Sequence, residues 1–281
     1  MLPHFDPDRS RPQVMAIINV TPDSFFAGSR TPHAEAIAAR VRAAVAEGCA
    51  ILDVGGCSTR PGAGPVEPDE ELRRVLLGVE VCRREAPTIP VSVDTFRASV
   101  AGAVVERFGG VIINDISGGT ADPALVEAAA RHDLPYVVMH MRGTPATMQS
   151  LCDYADVAGE VEQWFRGRIA ELHARGVRRL ILDPGFGFAK SLEQNYELLA
   201  GLHRIAALGF PVLAGLSRKS MIWRALGTSP DEALTGTTAL HWEALRQGTA
   251  ILRVHDVRAA VETVRLFERL RAAETNKQPN Q

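Results

Sequence analysis

The feature that most constrains this chain is a short aliphatic run that recurs eight times, each copy ending in a polar or glycine-rich cluster. The runs are VMAIIN (14–19), AILDV (50–54), IPVSV (89–93), VIIN (111–114), LPYVVMH (134–140), LILD (180–183), PVLAGL (211–216) and AILRV (250–254). Between them lie segments such as AEAIAARVRAAVAEG, ELRRVLLGVEVCRR and YADVAGEVEQWFRGRIAELHARG. Their apolar residues recur near i, i+3, i+4 and i+7, the period of a helix with one buried face. Gly48, Gly176, Gly209 and Gly248 fall just before a run, where a glycine ends the preceding helix. Apolar strands without strict alternation belong to a parallel sheet covered by helices.

The length of 281 residues alone leaves open one domain or two. Eight strand–helix units of about 35 residues each decide for a (β/α)8 barrel. A doubly wound sheet is the alternative, but no G-x-G-x-x-G follows the first run. The expectation is one α/β domain over residues 1–281, a TIM barrel with its core at about 14–270. The N-terminal segment and the tail AAETNKQPNQ are expected to be loose.

Charge and composition narrow the partners. With 31 Lys+Arg against 33 Asp+Glu the formal net charge is −2, so the chain lacks the broadly basic surface that nucleic acid or anionic membrane requires. No run approaches the ~18 apolar residues of a membrane span, and the N-terminus does not read as a secretory signal. Cys49, Cys57, Cys82 and Cys152 show no C-x-x-C spacing, which suits reduced thiols instead of a zinc or disulfide framework. A cytoplasmic enzyme acting on small molecules is expected, with no nucleic-acid or membrane partner.

The strand-end clusters carry the chemistry: Asn19 to Asp23, Asp53 to Gly56, Asp94-Thr95, Asn114-Asp115, Met139 to Arg142, Asp183 to Gly185, Ser217-Arg218-Lys219 and Arg253 to Asp256. In a barrel they converge on the C-terminal rim, where barrel enzymes build their sites. A lone Asp at a strand end is usually a helix cap, but capping explains eight such ends poorly. Two kinds of recognition are legible. Arg253 and His255, two apart, share a face and with Arg60 and Asn19 could hold an anion. Whether His255 pairs instead with Asp256 stays open. Asp94, Asn114 and Asp183 suit a planar ring rich in N–H donors, because a carboxylate accepts two parallel bonds from an amidine-like edge. Lys219 could neutralise a ring carbonyl facing Asp183 or could be a solvated turn residue. Some of the carboxylates could instead pair with Lys219 or Arg253 in a structural network. Phe186 and Phe188 either wall an aromatic substrate or seal the barrel top.

MAIINVTPDSF, DVGGCSTRPGAGP, SVDT, INDISGG, VVMHMRGTPATMQ, LILDPGFGFAKSLEQNYELL, GLSRKSM and ILRVHDV together resemble the dihydropteroate synthase family of the bacterial folate pathway. The match runs in order from about residue 14 to 258. It implies a Mg²⁺-assisted transferase, a sulfonamide target and usually a homodimer, that joins para-aminobenzoate to 6-hydroxymethyl-7,8-dihydropterin diphosphate. A non-catalytic or methyl-transfer pterin-binding barrel is the alternative. Carried over by the resemblance, Asp94, Asn114, Met139, Asp183, Lys219 and Arg253 would hold the pterin. Asn19, Arg60, Arg253 and His255 would hold the diphosphate, with Asn19 also the metal ligand. Thr59, Pro61, Phe25, Phe188 and Ser217 would frame para-aminobenzoate. Lys219, Arg253, His255 and Asp183 would be the catalytic set, with no covalent nucleophile. Two positions depart from the family pattern: Cys57 stands where G-G-E-S-T-R-P-G has Glu, and Ser24 to Ser29 lack the second acidic residue of the first loop.

Overall fold

In a computed structural model, which describes residues 11–20, 30–57 and 66–275 together with Phe5, Pro7 and Gly64, all eight runs become parallel strands. They are β1 (Gln13–Asn19), β2 (Ile51–Gly55), β3 (Val91–Asp94), β4 (Ile112–Asp115), β5 (Tyr136–Met139), β6 (Leu180–Asp183), β7 (Leu213–Ala214) and β8 (Ile251–Val254). The strand order is β6-β5-β4-β3-β2-β1-β8-β7. The seam between β6 and β7 is joined by the bridge pair Leu182↔Val212 and by Leu182 N–H donating to the Pro211 carbonyl at 2.9 Å. The helices between strands are α1 (Arg30–Glu47), α2 (Pro68–Glu85), α3 (Ala98–Phe108), α4 (Pro123–Arg131) and α5 (Val157–Ala174). Pairs follow β6 and β7: α6 (Leu192–Ala200) with α7 (Leu202–Ala206), and α8 (Ser220–Leu226) with α9 (Leu234–Arg246). The chain's last helix is α10 (Val257–Thr275), which runs through part of the segment expected as a tail.

Three strands begin two residues later than the aliphatic runs suggest, and proline is the reason. Pro90, Pro135 and Pro211 have no N–H to give a ladder, so β3, β5 and β7 begin after them. Each proline still accepts through its carbonyl, from Leu52, Ile113 and Leu182 respectively, at 3.1, 2.9 and 2.9 Å. Beyond Ala214, β7 ends early because the chain turns: Arg218 takes φ +55° and Lys219 N–H returns to the Leu216 carbonyl at 3.1 Å. Ahead of the strands, Gly48, Gly176, Gly209 and Gly248 all have φ between 91° and 97°. That left-handed conformation costs glycine little and other residues more.

The strands alternate after all, between two buried environments. One set of positions, including Val14, Leu52, Val93, Ile113, Val138, Leu182 and Leu252, packs outward against the helices. The other points into the barrel, and there Met15, Ile51, Ile112, Val137, Ile181, Leu213 and Ile251 form a separate apolar plug. Phe5 is 4% exposed and belongs to this plug, its carbonyl held by Arg179 Nη2 at 2.6 Å. The chain is thus tied to the barrel at Phe5. Because both faces are buried, the run reads as continuously apolar although successive side chains go opposite ways.

Two positions further along, the inward series changes character. Ile51 gives way to Asp53, Ser92 to Asp94, Ile112 to Asn114, Ile181 to Asp183 and Ile251 to Arg253. The apolar plug thus floors a polar mouth at the C-terminal ends of the strands. Ile112, fully buried in the plug, should cost about 2–5 kcal/mol when changed to Ala. Leu226, 57% exposed at the end of α8, should cost far less when changed the same way. Chemical denaturation of both variants checks the contrast; equal losses would contradict the plug.

Candidate active site

At the centre of the mouth one guanidinium joins two carboxylates. Arg253 Nε donates to Asp53 Oδ2 and Nη2 to Asp94 Oδ2, each at 2.7 Å. Asp53 is fully buried, while Asp94 and Arg253 keep 17% and 21% of their side-chain surface exposed toward the mouth. Asn114 Nδ2 reaches both Asp53 oxygens at 3.3 and 3.4 Å. Burial opposes the charge on Arg253, but Asp53 and Asp94 outweigh it and hold the guanidinium firmly protonated. Asp94 is pushed up to about 7, first by burial; Arg253 pulls it down, and the neighbouring Asp53 pushes it up again.

A second pair stands across the mouth. Asp183 ends β6, next to Met139 in the β5 register, and its Oδ1 accepts the Gly185 N–H at 2.8 Å. Burial raises its pKa, which Lys219 opposes. Lys219 donates to the Phe186 carbonyl, and its ammonium lies 4.7 Å from the centre of the Phe188 ring. Burial pulls this lysine down to about 8, against the attraction of Asp183. Gly187 makes room for it: a Cβ there would stand 3.3 Å from Lys219 Cδ, closer than ordinary contact. Of the two aromatics, Phe186 seals the top, fully buried in the helix-facing core, and the partly exposed Phe188 lines the mouth.

The rim beside Arg253 carries Asn19, Ser217 and His255. Asn19 is the exposed last residue of β1, and a Cβ at Gly55 would lie 3.8 Å from Asn19 Oδ1 and 3.7 Å from Asp94 Oδ2. Ser217 Oγ accepts the His255 N–H at 3.1 Å and lies 3.1 Å from its Nδ1. Asp256 gives both its oxygens to Arg218, at 2.8 and 2.9 Å, and the neighbouring His255 also helps to lower its pKa. That clamp fixes the 217–219 turn against the end of β8. Phe25, Thr59, Arg60 and Pro61 lie outside the described residues.

Asp115, one residue beyond Asn114, faces away from the mouth: it accepts from Tyr136 OH and from the Ser117 and Gly119 N–H groups at 2.7 and 2.6 Å. Asp53 is the residue that sequence reading passed over, although it sits in a noted cluster. Its signal is parity: it stands two residues after inward Ile51, as Arg253 stands two after inward Ile251. Lys190 and His140, both buried and in contact at 3.1 Å, were also missed, and no spacing rule marks them.

A floor of aliphatic side chains under buried carboxylates, an amide and two cations is a ring-binding barrel mouth. The pterin binding enzyme family model matches residues 15–255, and the chain belongs to that family. Within it the chain stands with the dihydropteroate synthases, transferases of folate biosynthesis. The dihydropteroate synthase of Escherichia coli is 43% identical over 96% of this chain and 95% of its own. That of Synechocystis is 42% identical over 92% and 90%. The Xanthomonas albilineans enzyme, solved with 4-aminobenzoic acid, superposes with a TM-score of 0.86 at 41% identity, covering 94% of each chain.

Arg253→Met tests the central link, since removing one partner of a buried pair costs about 3–5 kcal/mol. Asp94 in the folded protein already holds its proton above the unfolded value of about 3.9, so its ionisation lowers stability as pH rises from there to about 7. Without Arg253 that rise in pKa grows and the loss continues into alkaline solution. The Tm gap between wild type and Arg253→Met should therefore widen from pH 6 to pH 8; a constant gap would show that Asp94 does not depend on Arg253.

Proposed function

We propose that the barrel mouth joins para-aminobenzoate to 6-hydroxymethyl-7,8-dihydropterin diphosphate, releasing pyrophosphate and 7,8-dihydropteroate. The observation that carries this reading is the inward set Asp94, Asn114, Asp183, Lys219 and Arg253 on an apolar floor, with Asp53 locking Arg253 in place. Asp183 accepts from the 2-amino edge of the pterin, Lys219 neutralises the ring carbonyl beside it, and Asn114 matches a donor and an acceptor further round the ring. Met139 lines that pocket. Arg253 is held at its Nε and Nη2 by the two carboxylates, which sets the plane of its guanidinium for stacking on the ring.

The diphosphate lies toward Arg253, His255, Asn19 and Arg60. As the bond from the exocyclic methylene carbon to the diphosphate oxygen breaks, its electron pair leaves with the diphosphate and positive charge spreads into the pterin. Fixed cations and donors at the place where negative charge develops favour this step. The amine of para-aminobenzoate, its carboxylate near Ser217 and its ring framed by Phe188, Phe25, Thr59 and Pro61, forms the new C–N bond and then loses a proton. An arylamine needs position and exclusion of water more than a strong base. Cys57 has no covalent part in this scheme.

Among the described residues no group of three or more His, Cys, Asp or Glu side chains could cage a metal. A magnesium ion suits the mouth nonetheless, since it commonly takes one or two protein oxygens and completes its shell with phosphate and water. Asn19 Oδ1, opposite Asp94 Oδ2 across Gly55, is the oxygen available to it. When bound, Mg²⁺ would act as a Lewis acid on the diphosphate.

We further infer a single-domain cytoplasmic protein; among the described residues no helix is long and apolar enough to cross a membrane. Leu266 and Leu270, one turn apart and exposed on α10, are apolar surface that suits burial in a homodimer. The Yersinia pestis dihydropteroate synthase, 39% identical, is solved with a sulfonamide drug. Binding of a sulfonamide at the para-aminobenzoate position is part of the function proposed here.

The test is direct. Purified protein mixed with the dihydropterin diphosphate, Mg²⁺ and para-aminobenzoate should yield pyrophosphate and dihydropteroate. Pterin binding without product would select a non-catalytic pterin-binding barrel instead. Asp183→Ala and Lys219→Ala should each weaken pterin binding by about 2–5 kcal/mol, the cost of leaving a buried charge without its partner. Calorimetric titration measures this, and wild-type affinity in either variant would remove that residue from the site.

A further inference from the structure

One buried cation has no part in the scheme above. Lys190 is 4% exposed and lies behind the loop that follows β6. Its ammonium donates to the Gly185 carbonyl at 3.0 Å and the Phe188 carbonyl at 2.9 Å, and stands 3.1 Å from His140 Nδ1. Those three contacts use all three N–H bonds of the ammonium. Burial pulls Lys190 down to about 7, against the attraction of Asp183; in its charged form it can only donate, so the His140 nitrogen facing it is then the unprotonated one. Burial, with the Lys190 charge added, pushes His140 down to about 2 and keeps it a neutral acceptor.

The loop between these groups serves both lysines. Its Gly185 and Phe188 carbonyls turn back to Lys190, while the intervening Phe186 carbonyl accepts from Lys219. The Gly185 N–H holds Asp183 Oδ1 at 2.8 Å. Ala189 adopts φ +49°, a left-handed conformation unfavourable for an L-residue, and so brings Lys190 back under its own loop. Residual strain of this sort persists only where its surroundings over-determine it. Burying an ammonium is also unfavourable unless each of its bonds is made, and a long apolar side chain would fill the same space without that cost. The polar staple therefore calls for a reason beyond packing, and its contacts point at the atoms that hold Asp183 and Lys219.

We propose that Lys190 is a positioning residue for the pterin subsite: backed by His140, its ammonium sets the 185–188 backbone so that Asp183 and Lys219 meet the ring in one geometry. The proposal rests on the assignment of the mouth to a pterin. It does not touch the anion subsite, whose Arg253 and His255 stand on β8 and just beyond it.

The measurements are the Kd of 6-hydroxymethylpterin, which lacks the diphosphate, and the inhibition constant of pyrophosphate. Lys190→Met should raise the pterin Kd at least tenfold and leave pyrophosphate inhibition within twofold. His140→Leu should act in the same direction, and His140→Gln, whose side-chain oxygen can accept from Lys190, should recover most of the affinity. Pterin Kd values within twofold of wild type in Lys190→Met or His140→Leu would overturn the proposal. So would equal weakening of pterin and pyrophosphate, the mark of a general structural loss. Should Lys190→Met fail to fold, the His140 pair decides alone. Wild-type protein that bound pyrophosphate but no pterin would instead overturn the assignment of the mouth on which the proposal stands.

Discussion

The mouth of this barrel depends on one guanidinium shared by two carboxylates. Arg253 comes from β8, Asp53 from β2 and Asp94 from β3, so the two 2.7 Å contacts tie three strands together at the open end. A carboxylate as deeply buried as Asp53 is costly unless it is paired and hydrogen-bonded. Arg253 and Asn114 supply those partners, and in doing so give the arginine an orientation that solvent would never give it. The pair is thus both a solution to a burial problem and a means of presenting a cation at a defined angle.

That arrangement is possible because the inside of the barrel is divided by height. Below lies a plug of aliphatic side chains closed by Phe5; above it, two residues further along the same strands, the inward positions turn polar. The apolar floor keeps water out from beneath, which strengthens every charge interaction in the mouth. The same low polarity raises Asp94 and lowers Lys219, and the opposite charges nearby limit both shifts. Of the groups here, Asp94 at about 7 and Lys219 at about 8 are placed to change charge near neutral pH.

Much of this is written locally. Eight aliphatic runs, their spacing and the glycines ahead of them specify a parallel barrel, and the polar clusters at their ends mark which rim is functional. Asp94, Asn114, Asp183, Lys219 and Arg253 are each legible as strand-end residues, and the structure brings all five to one mouth. Proline trimmed the strands because a missing N–H matters only once a neighbouring strand is present to need it. The outward turn of Asp115, directly after inward Asn114, follows from strand parity, yet parity cannot be assigned until both faces of the sheet are known to be buried.

The sequence by itself therefore determined the fold class, the rim and the identity of the polar residues, since these depend on periodicity and on residue type. Tertiary structure alone decided which charges pair. Asp53 and Asp94 reach Arg253 over separations of 200 and 159 residues, and Lys190 reaches His140 over 50. Such contacts leave no local pattern, because the closing of the barrel, not the spacing along the chain, puts those side chains within a hydrogen bond of one another.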